Sequence, residues 1–184
     1  MQLYLIRHPP PEVAAGVCYG ATDLAVTKCA IDATLAALTT RLPKQVPLYS
    51  SVLQRCRLLA EPLAALRQCG PVRPDPRLVE MNFGRWEMQP WDAIARSEID
   101  AWASDVVDYR PGAGESVHEV AARVMAFRDD LLQHQHRQAI VVCHAGTIRL
   151  LLAWQAGACL RETASRAASA SHQIAYGDMV TLDC

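Results

Sequence analysis

Two histidines follow short apolar runs far apart in the chain. His8 comes after Leu5-Ile6-Arg7, and His144 comes after Val141-Val142-Cys143. Each run is typical of a buried β-strand, and Pro9 ends the first because proline cannot donate to a strand ladder. Ligands of a parallel α/β sheet bind at the carboxyl ends of its strands. Two strand-end histidines, one of them beside an arginine, therefore indicate phosphate chemistry.

Two further stretches add charged side chains. Ser51-Val52-Leu53-Gln54-Arg55 opens a predicted helix directly after a predicted strand, which places Arg55 at the same sheet edge. The stretch from Glu80 to Met88 is rich in aromatic, glycine and charged residues without a clean period, as is typical of a structured functional loop. Taken alone, Arg55 fits an ordinary solvent-facing helix arginine and Glu80 fits a solvated carboxylate. Glu87 is a nearby competitor for any acid role, although anchoring the loop suits it better.

The order of the elements predicts an α/β fold, a three-layer α/β/α arrangement around a mostly parallel central sheet. Strands are predicted over residues 2–6, 46–50, 72–76, 138–143, 174–176 and 179–182. Helices are predicted over residues 27–41, 51–68, 116–134 and 147–156, with one or two short helices over residues 90–103 and a brief helix after residue 160. Thr27 is the expected N-cap of the first helix, and Ser116 with Glu119 forms a capping box. The loop over residues 12–25 is expected to run over the site.

Composition excludes several other classes of protein. The chain has 184 residues, 51% of them hydrophobic, which suits one domain over residues 1–184. A net charge of -1 gives no general reason to expect nucleic acid or a membrane as a partner. The apolar runs are too short for a membrane span, and no secretory signal is evident. Seven scattered cysteines without metal or redox spacing indicate a reduced, cytoplasmic protein without a metal or cofactor.

The motifs, in this order, resemble those of the histidine phosphatase superfamily, which includes the phosphoglycerate mutases. The matching stretches are Arg7-His8-Pro9, Ser51 to Arg55, Glu80 to Glu87, and His144. Within the superfamily the chain is most similar to the alpha-ribazole phosphatases of cobalamin assembly, whose Glu-Met-x-Phe-Gly-x-Trp-Glu-Met loop is matched from Glu80 to Met88. The resemblance implies a phosphoglycerate mutase-like fold.

The resemblance also implies a metal-independent phosphomonoesterase with a phosphohistidine on His8. Arg7 and Arg55 would bind the phosphate oxygens, because a phosphomonoester carries about two negative charges and guanidinium groups match its oxygens. His144 would add a donor to the same oxygens. Glu80 would give a proton to the leaving alcohol. The expected substrate is a small phosphorylated metabolite, alpha-ribazole 5'-phosphate.

Three departures from the family pattern keep alternatives open. Pro9 replaces a glycine and so removes a backbone donor, while Ala14 and Leu59 stand where asparagine and threonine are common. The alternatives are a phosphatase of another small phosphomonoester, a mutase-like phosphotransferase and a non-catalytic module that binds a phosphorylated ligand. A zinc-dependent hydrolase is a further alternative, although the histidines lack paired ligand spacing.

Overall fold

The structure, a computed structural model, describes residues 1–154, 158–170 and 174–184. Within them the strands are β1 (Gln2–Arg7), β2 (Leu48–Ser50), β3 (Arg73–Pro74), β4 (Gln138–Cys143) and β5 (Met179–Asp183). They form one sheet in the order β3-β2-β4-β1-β5. All neighbouring pairs are parallel except β5, which runs antiparallel to β1. The predicted α/β fold with a mostly parallel sheet is confirmed.

Six α-helices accompany the sheet in the described part of the chain. They are α1 (Lys28–Leu38), α2 (Gln54–Arg67), α3 (Arg96–Ser104), α4 (Val117–Gln133), α5 (Ala145–Ala153) and α6 (Leu160–Ser169). The predicted caps are present: the Thr27 side chain accepts from the Ala30 amide, and Ser116 and Glu119 form a capping box. Residues 155 and 156 of the predicted helix over 147–156 lie outside the described residues. No helix among the described residues is long and apolar enough to cross a membrane.

Apolar side chains alternate between the two faces of the sheet along each strand, and helices pack against both faces. Leu5 and Val141 belong to one buried cluster, which also contains residues of α4, α5 and α6. Ile6 and Val142 point to the opposite face and belong to a second cluster, which includes residues of α2 and packs against α1. Strands buried on both faces are typical of parallel sheets between two helix layers. The core therefore fixes β1, β2 and β4 at the centre of the molecule.

The strand register brings the candidate residues to one edge. Arg7 of β1 pairs with Cys143 of β4, and Ser50 of β2 pairs with Val142 of β4. Parallel strands in register end side by side, so the residues that follow them leave the sheet together. His8 and His144 are the next residues of β1 and β4.

The strand predicted over residues 174–176 is wrong. Residues 174–178 form a turn before β5, and their backbone groups bond to the end of β1. The Gly177 amide donates to the carbonyl oxygens of Arg7 and His8, both at 3.2 Å, and the Arg7 amide donates to the Asp178 carbonyl. These bonds replace a strand ladder. Only β5 of the two predicted final strands is present, paired with β1.

Candidate active site

His8 is buried and held in one orientation. Its Nδ1 lies 2.7 Å from the carbonyl oxygen of Pro9, so an Nδ1–H donates there and Nε2 keeps its lone pair. Burial, with a smaller contribution from the charge of Arg55, lowers the pKa of His8 to about 3. The ring is therefore neutral at pH 7. A neutral imidazole with a free Nε2 is chemically able to act as a nucleophile.

His144 lies beside His8. The two ring centroids are 5.1 Å apart and the rings are inclined by 61°. Nε2 of His144 lies 2.9 Å from the Ser51 hydroxyl, which comes from the end of β2. Burial, followed by the charge of Arg55, holds the pKa of His144 well below its usual range. Both histidines at this sheet edge are thus uncharged.

Arg7 is held by the turn that follows α6. Its Nη1 donates to the carbonyl of Ile174 at 2.5 Å. The ring of Tyr176 covers its guanidinium, with Cζ of the arginine 3.7 Å from the ring centroid. A cation over the face of a tyrosine ring is electrostatically favoured. The segment predicted as a strand therefore forms one wall of the site and orients Arg7.

Arg55 reaches the site from the first turn of α2. Its side chain is fully buried, and it donates from Nη1 to Thr22 and from Nη2 to Gly20, at 2.6 Å to each carbonyl oxygen. Neither Arg55 nor Arg7 forms a salt bridge with any residue in 1–154, 158–170 or 174–184. Buried charge without a counter-ion is costly. A bound oxyanion between the two guanidinium groups would neutralise it.

The Glu80 carboxylate contacts the start of α5 at Gly146, two residues after His144. Its carboxylate accepts from the Gly146 amide at 3.2 Å and from the Met81 amide at 3.1 Å. A Cβ at position 146 would lie 2.4 Å from the carboxylate, so this approach requires glycine. Arg123 of α4 donates to the backbone carbonyl of Glu80 and so fixes the segment. The carboxylate is placed by backbone groups of two segments.

Glu87, the competitor of Glu80, anchors a loop. Its Oε1 accepts from the amides of Ala21 and Phe83, both at 2.9 Å, and its Oε2 accepts from the Thr22 hydroxyl. The tethered loop supplies the carbonyl groups that hold Arg55. The expectation that the 12–25 loop runs over the site and that Glu87 anchors a loop agrees with this geometry.

A cavity of about 430 Å³ reaches Glu80 and the two residues that follow His144, Ala145 and Gly146. Tyr19, Gly20, Glu80 and Gly146 form its end near the site, and aliphatic and aromatic side chains line most of the remainder. Its principal aromatic and charged residues are Tyr19, Phe83, Trp91, Trp102, Glu80 and Arg149. Nε1 of Trp102 is buried without a hydrogen-bond partner among the described residues. The cavity is suited to a flat, mainly apolar group.

The five predicted site residues lie together, and the structure adds two that the sequence analysis missed. Tyr19 and Tyr176 contact each other through their hydroxyl groups, although 157 positions separate them. Each precedes a glycine with positive φ, at positions 20 and 177. A Tyr-Gly pair in each loop is the only local signal, and it does not reveal a contact between them.

Comparison with known proteins agrees with this geometry. The model of the histidine phosphatase superfamily (branch 1) matches residues 3–175. The adenosylcobalamin/alpha-ribazole phosphatase of Escherichia coli (strain K12) is 32% identical over 160 residues, 83% of this chain and 78% of that protein. A putative phosphoserine phosphatase 2 of Hydrogenobacter thermophilus is 28% identical over 82% of this chain and 76% of its own. The crystal structure of the alpha-ribazole phosphatase from Shigella flexneri has a TM-score of 0.81 and 25% identity, covering 100% of this chain and 90% of that chain.

The buried neutral state of His8 predicts a specific loss of stability in acid. Below about pH 6.5 the unfolded chain protonates this histidine, whereas the folded protein does not until about pH 3, so the free energy of unfolding falls with falling pH. One such histidine contributes a slope of about 1.4 kcal/mol per pH unit. Urea denaturation from pH 6.0 to 4.0 should give His8→Asn a slope shallower by about this amount. If the free energy of unfolding of the wild type and of His8→Asn fell with pH at the same slope, the buried neutral state of His8 would be contradicted.

Proposed function

Because the chain belongs to the histidine phosphatase superfamily (branch 1), we propose that it hydrolyses alpha-ribazole 5'-phosphate through a phosphohistidine on His8. That it is a phosphoric monoester hydrolase follows from the family and its phosphatase relatives. The observation that carries the proposed mechanism is the neutral, buried His8 beside two arginines without carboxylate partners among the described residues.

The two arginines bind the phosphoryl group. A phosphomonoester dianion repels a nucleophile until its oxygens are neutralised, and buried guanidinium groups do this without reorganisation. Arg7 and Arg55 are permanently charged and held by carbonyl groups, so they are already oriented before the substrate arrives. The neutral His144 ring has a single N–H, which it donates to the same oxygens when the Ser51 hydroxyl donates to its Nε2. Because all of the positive charge comes from side chains, this scheme needs no metal ion.

His8 then attacks phosphorus in line. The bond from Nε2 to phosphorus forms as the bond from phosphorus to the leaving oxygen breaks, and Glu80 gives its proton to that oxygen. The Pro9 carbonyl stabilises the proton on Nδ1 as positive charge develops in the ring. In the second half, water attacks phosphorus as the bond from phosphorus to Nε2 breaks, and the Glu80 carboxylate takes a proton from the water. Inorganic phosphate leaves, and both residues return to their starting state.

The cavity supports alpha-ribazole 5'-phosphate as the substrate. It begins at Glu80, the residue that protonates the leaving oxygen, so it receives the alcohol half of the substrate. The benzimidazole of alpha-ribazole is flat and apolar and suits the rings of Phe83, Trp91 and Trp102. The E. coli and Shigella flexneri proteins, both named alpha-ribazole phosphatases, support the same choice.

Replacement of His8 tests the reaction type. His8→Ala should lower turnover of p-nitrophenyl phosphate by at least about 1000-fold without added metal, because the covalent step is lost. Rapid acid-free quenching of the wild type with labelled substrate should trap an acid-labile phosphoryl group that His8→Ala lacks. His118→Ala, a surface histidine near Asp108, is the matched control and should keep wild-type turnover. Equal turnover by wild type and His8→Ala would refute a catalytic His8.

The two glutamates can be separated by the leaving group. Glu80→Gln should reduce kcat/KM for an alkyl phosphate by about 100-fold or more and affect p-nitrophenyl phosphate much less, since p-nitrophenolate leaves without protonation. Glu87→Gln weakens loop contacts and should reduce kcat/KM for both substrates to the same extent. If instead Glu87→Gln shows the dependence on the leaving group and Glu80→Gln does not, the acid role belongs to Glu87.

A comparison of two substrates tests the proposed identity of the alcohol half. Alpha-ribazole 5'-phosphate should have a higher kcat/KM than phosphoserine, whose small charged group leaves most of the apolar cavity unfilled. Trp102→Leu should lower kcat/KM for alpha-ribazole 5'-phosphate by about tenfold, the effect of a lost aromatic contact. The same variant should leave phosphoserine turnover nearly unchanged. A preference for phosphoserine in the wild type would contradict the proposed substrate.

A further inference from the structure

The backbone that follows His8 offers no hydrogen-bond donor to a bound phosphoryl group. Positions 9 to 11 are all proline, which has no N–H. The carbonyl of Pro9 is engaged by Nδ1 of His8. A neutral donor on this side of the pocket must therefore come from another segment of the chain.

Two tyrosines from distant loops meet at the two arginines. The ring of Tyr176 lies on Arg7, and its centroid is 5.5 Å from that of His8. The ring centroid of Tyr19 lies 5.3 Å from Cζ of Arg55. The two hydroxyl oxygens are 2.7 Å apart. Because each ring lies against one guanidinium group, the hydroxyl pair joins the Arg7 side of the pocket to the Arg55 side.

This hydroxyl pair has one hydrogen more than it uses. In a hydrogen bond between two phenols one hydroxyl donates, and the one that accepts keeps its own hydrogen for a third group. Neither hydroxyl has another hydrogen-bond partner among the described residues. Tyr176 is 40% exposed, whereas Tyr19 is more enclosed and lines the cavity beside Glu80. We therefore assign the free hydrogen to the Tyr19 hydroxyl, with the Tyr176 hydroxyl as the donor within the pair.

We propose that Tyr19 is a further substrate-binding residue, which donates from its hydroxyl to a phosphoryl oxygen, and that Tyr176 is its positioning partner. The proposal rests on the proposed function, because it requires a phosphoryl group between Arg7 and Arg55. Burial raises the pKa of Tyr19, so the hydroxyl remains protonated and able to donate at neutral pH. The donor lost from the backbone at Pro9 is thus supplied by a side chain.

Calorimetric titration of the full chain with inorganic phosphate tests the proposal without depending on turnover. Tyr19→Phe should weaken phosphate binding by about tenfold, because a hydrogen bond to a charged group is lost while the ring remains. Tyr176→Phe should weaken it by about threefold, since only the support of Tyr19 is lost. The double variant should bind no more weakly than Tyr19→Phe alone. Tyr4→Phe, which removes a hydroxyl bonded to Gln2 in β1, is the matched control and should bind like the wild type.

The outcomes separate this inference from the proposed function. Wild-type affinity in Tyr19→Phe would overturn the inference and leave the proposed function intact. Equal losses of phosphate affinity in both single variants and the double variant would also overturn it. They would indicate that the hydroxyl pair only holds two loops together. If the wild type binds phosphate, Tyr19→Phe weakens binding as expected and no phosphomonoester is turned over, the inference stands and the proposed function fails. A wild type that binds no phosphate would refute both.

Discussion

The in-register parallel pairing of β1 with β4 is the constraint on which the site depends. Arg7 pairs with Cys143, so the next residue of each strand is a histidine at the same edge of the sheet. A shift of one residue in this register would separate the two rings and would turn every strand side chain to the opposite helix layer. The apolar clusters on both faces forbid that shift, because each strand residue packs in only one of them. The core of the protein therefore sets the distance between His8 and His144.

The second constraint is positive charge that the protein itself leaves unneutralised. Carbonyl groups hold Arg7 and Arg55, and no carboxylate pairs with either among the described residues. Loops rather than the sheet supply these carbonyl groups, and Glu87 tethers the loop that holds Arg55. Loop contacts thus offset the energetic cost of one fully buried cation, Arg55, and one half-buried cation, Arg7. Burial, and after it the charge of Arg55, lowers the pKa of His8 and of His144, so a positive charge beside the two rings also helps to keep them neutral.

Features encoded by local patterns could be predicted from the sequence, and features encoded by tertiary contacts could not. The strand ends that carry His8 and His144, the capping box at Ser116 and the mostly parallel sheet follow from apolar runs, breakers and capping residues. The strand predicted over residues 174–176 is wrong because a few apolar and aromatic residues before a glycine suit a strand or a turn, and the segment over residues 174–178 is a turn. Its backbone bonds go to Arg7 and His8, more than 160 positions away, and no local pattern records that choice.

The division between the two halves of the site explains how one scaffold can serve different alcohols. The charged half is formed at strand ends whose positions the core fixes, and in the proposed mechanism it meets only the phosphoryl group. Three aromatic side chains of the apolar half, Phe83, Trp91 and Trp102, come from the 80–102 region, which contributes no strand to the sheet. Side chains there can change without moving His8 or either arginine. Relatives named for alpha-ribazole and for phosphoserine are therefore compatible with one chemical mechanism and one sheet. Glu80 lies at the boundary between the two halves, the position that the proposed mechanism requires for a group that protonates the leaving oxygen.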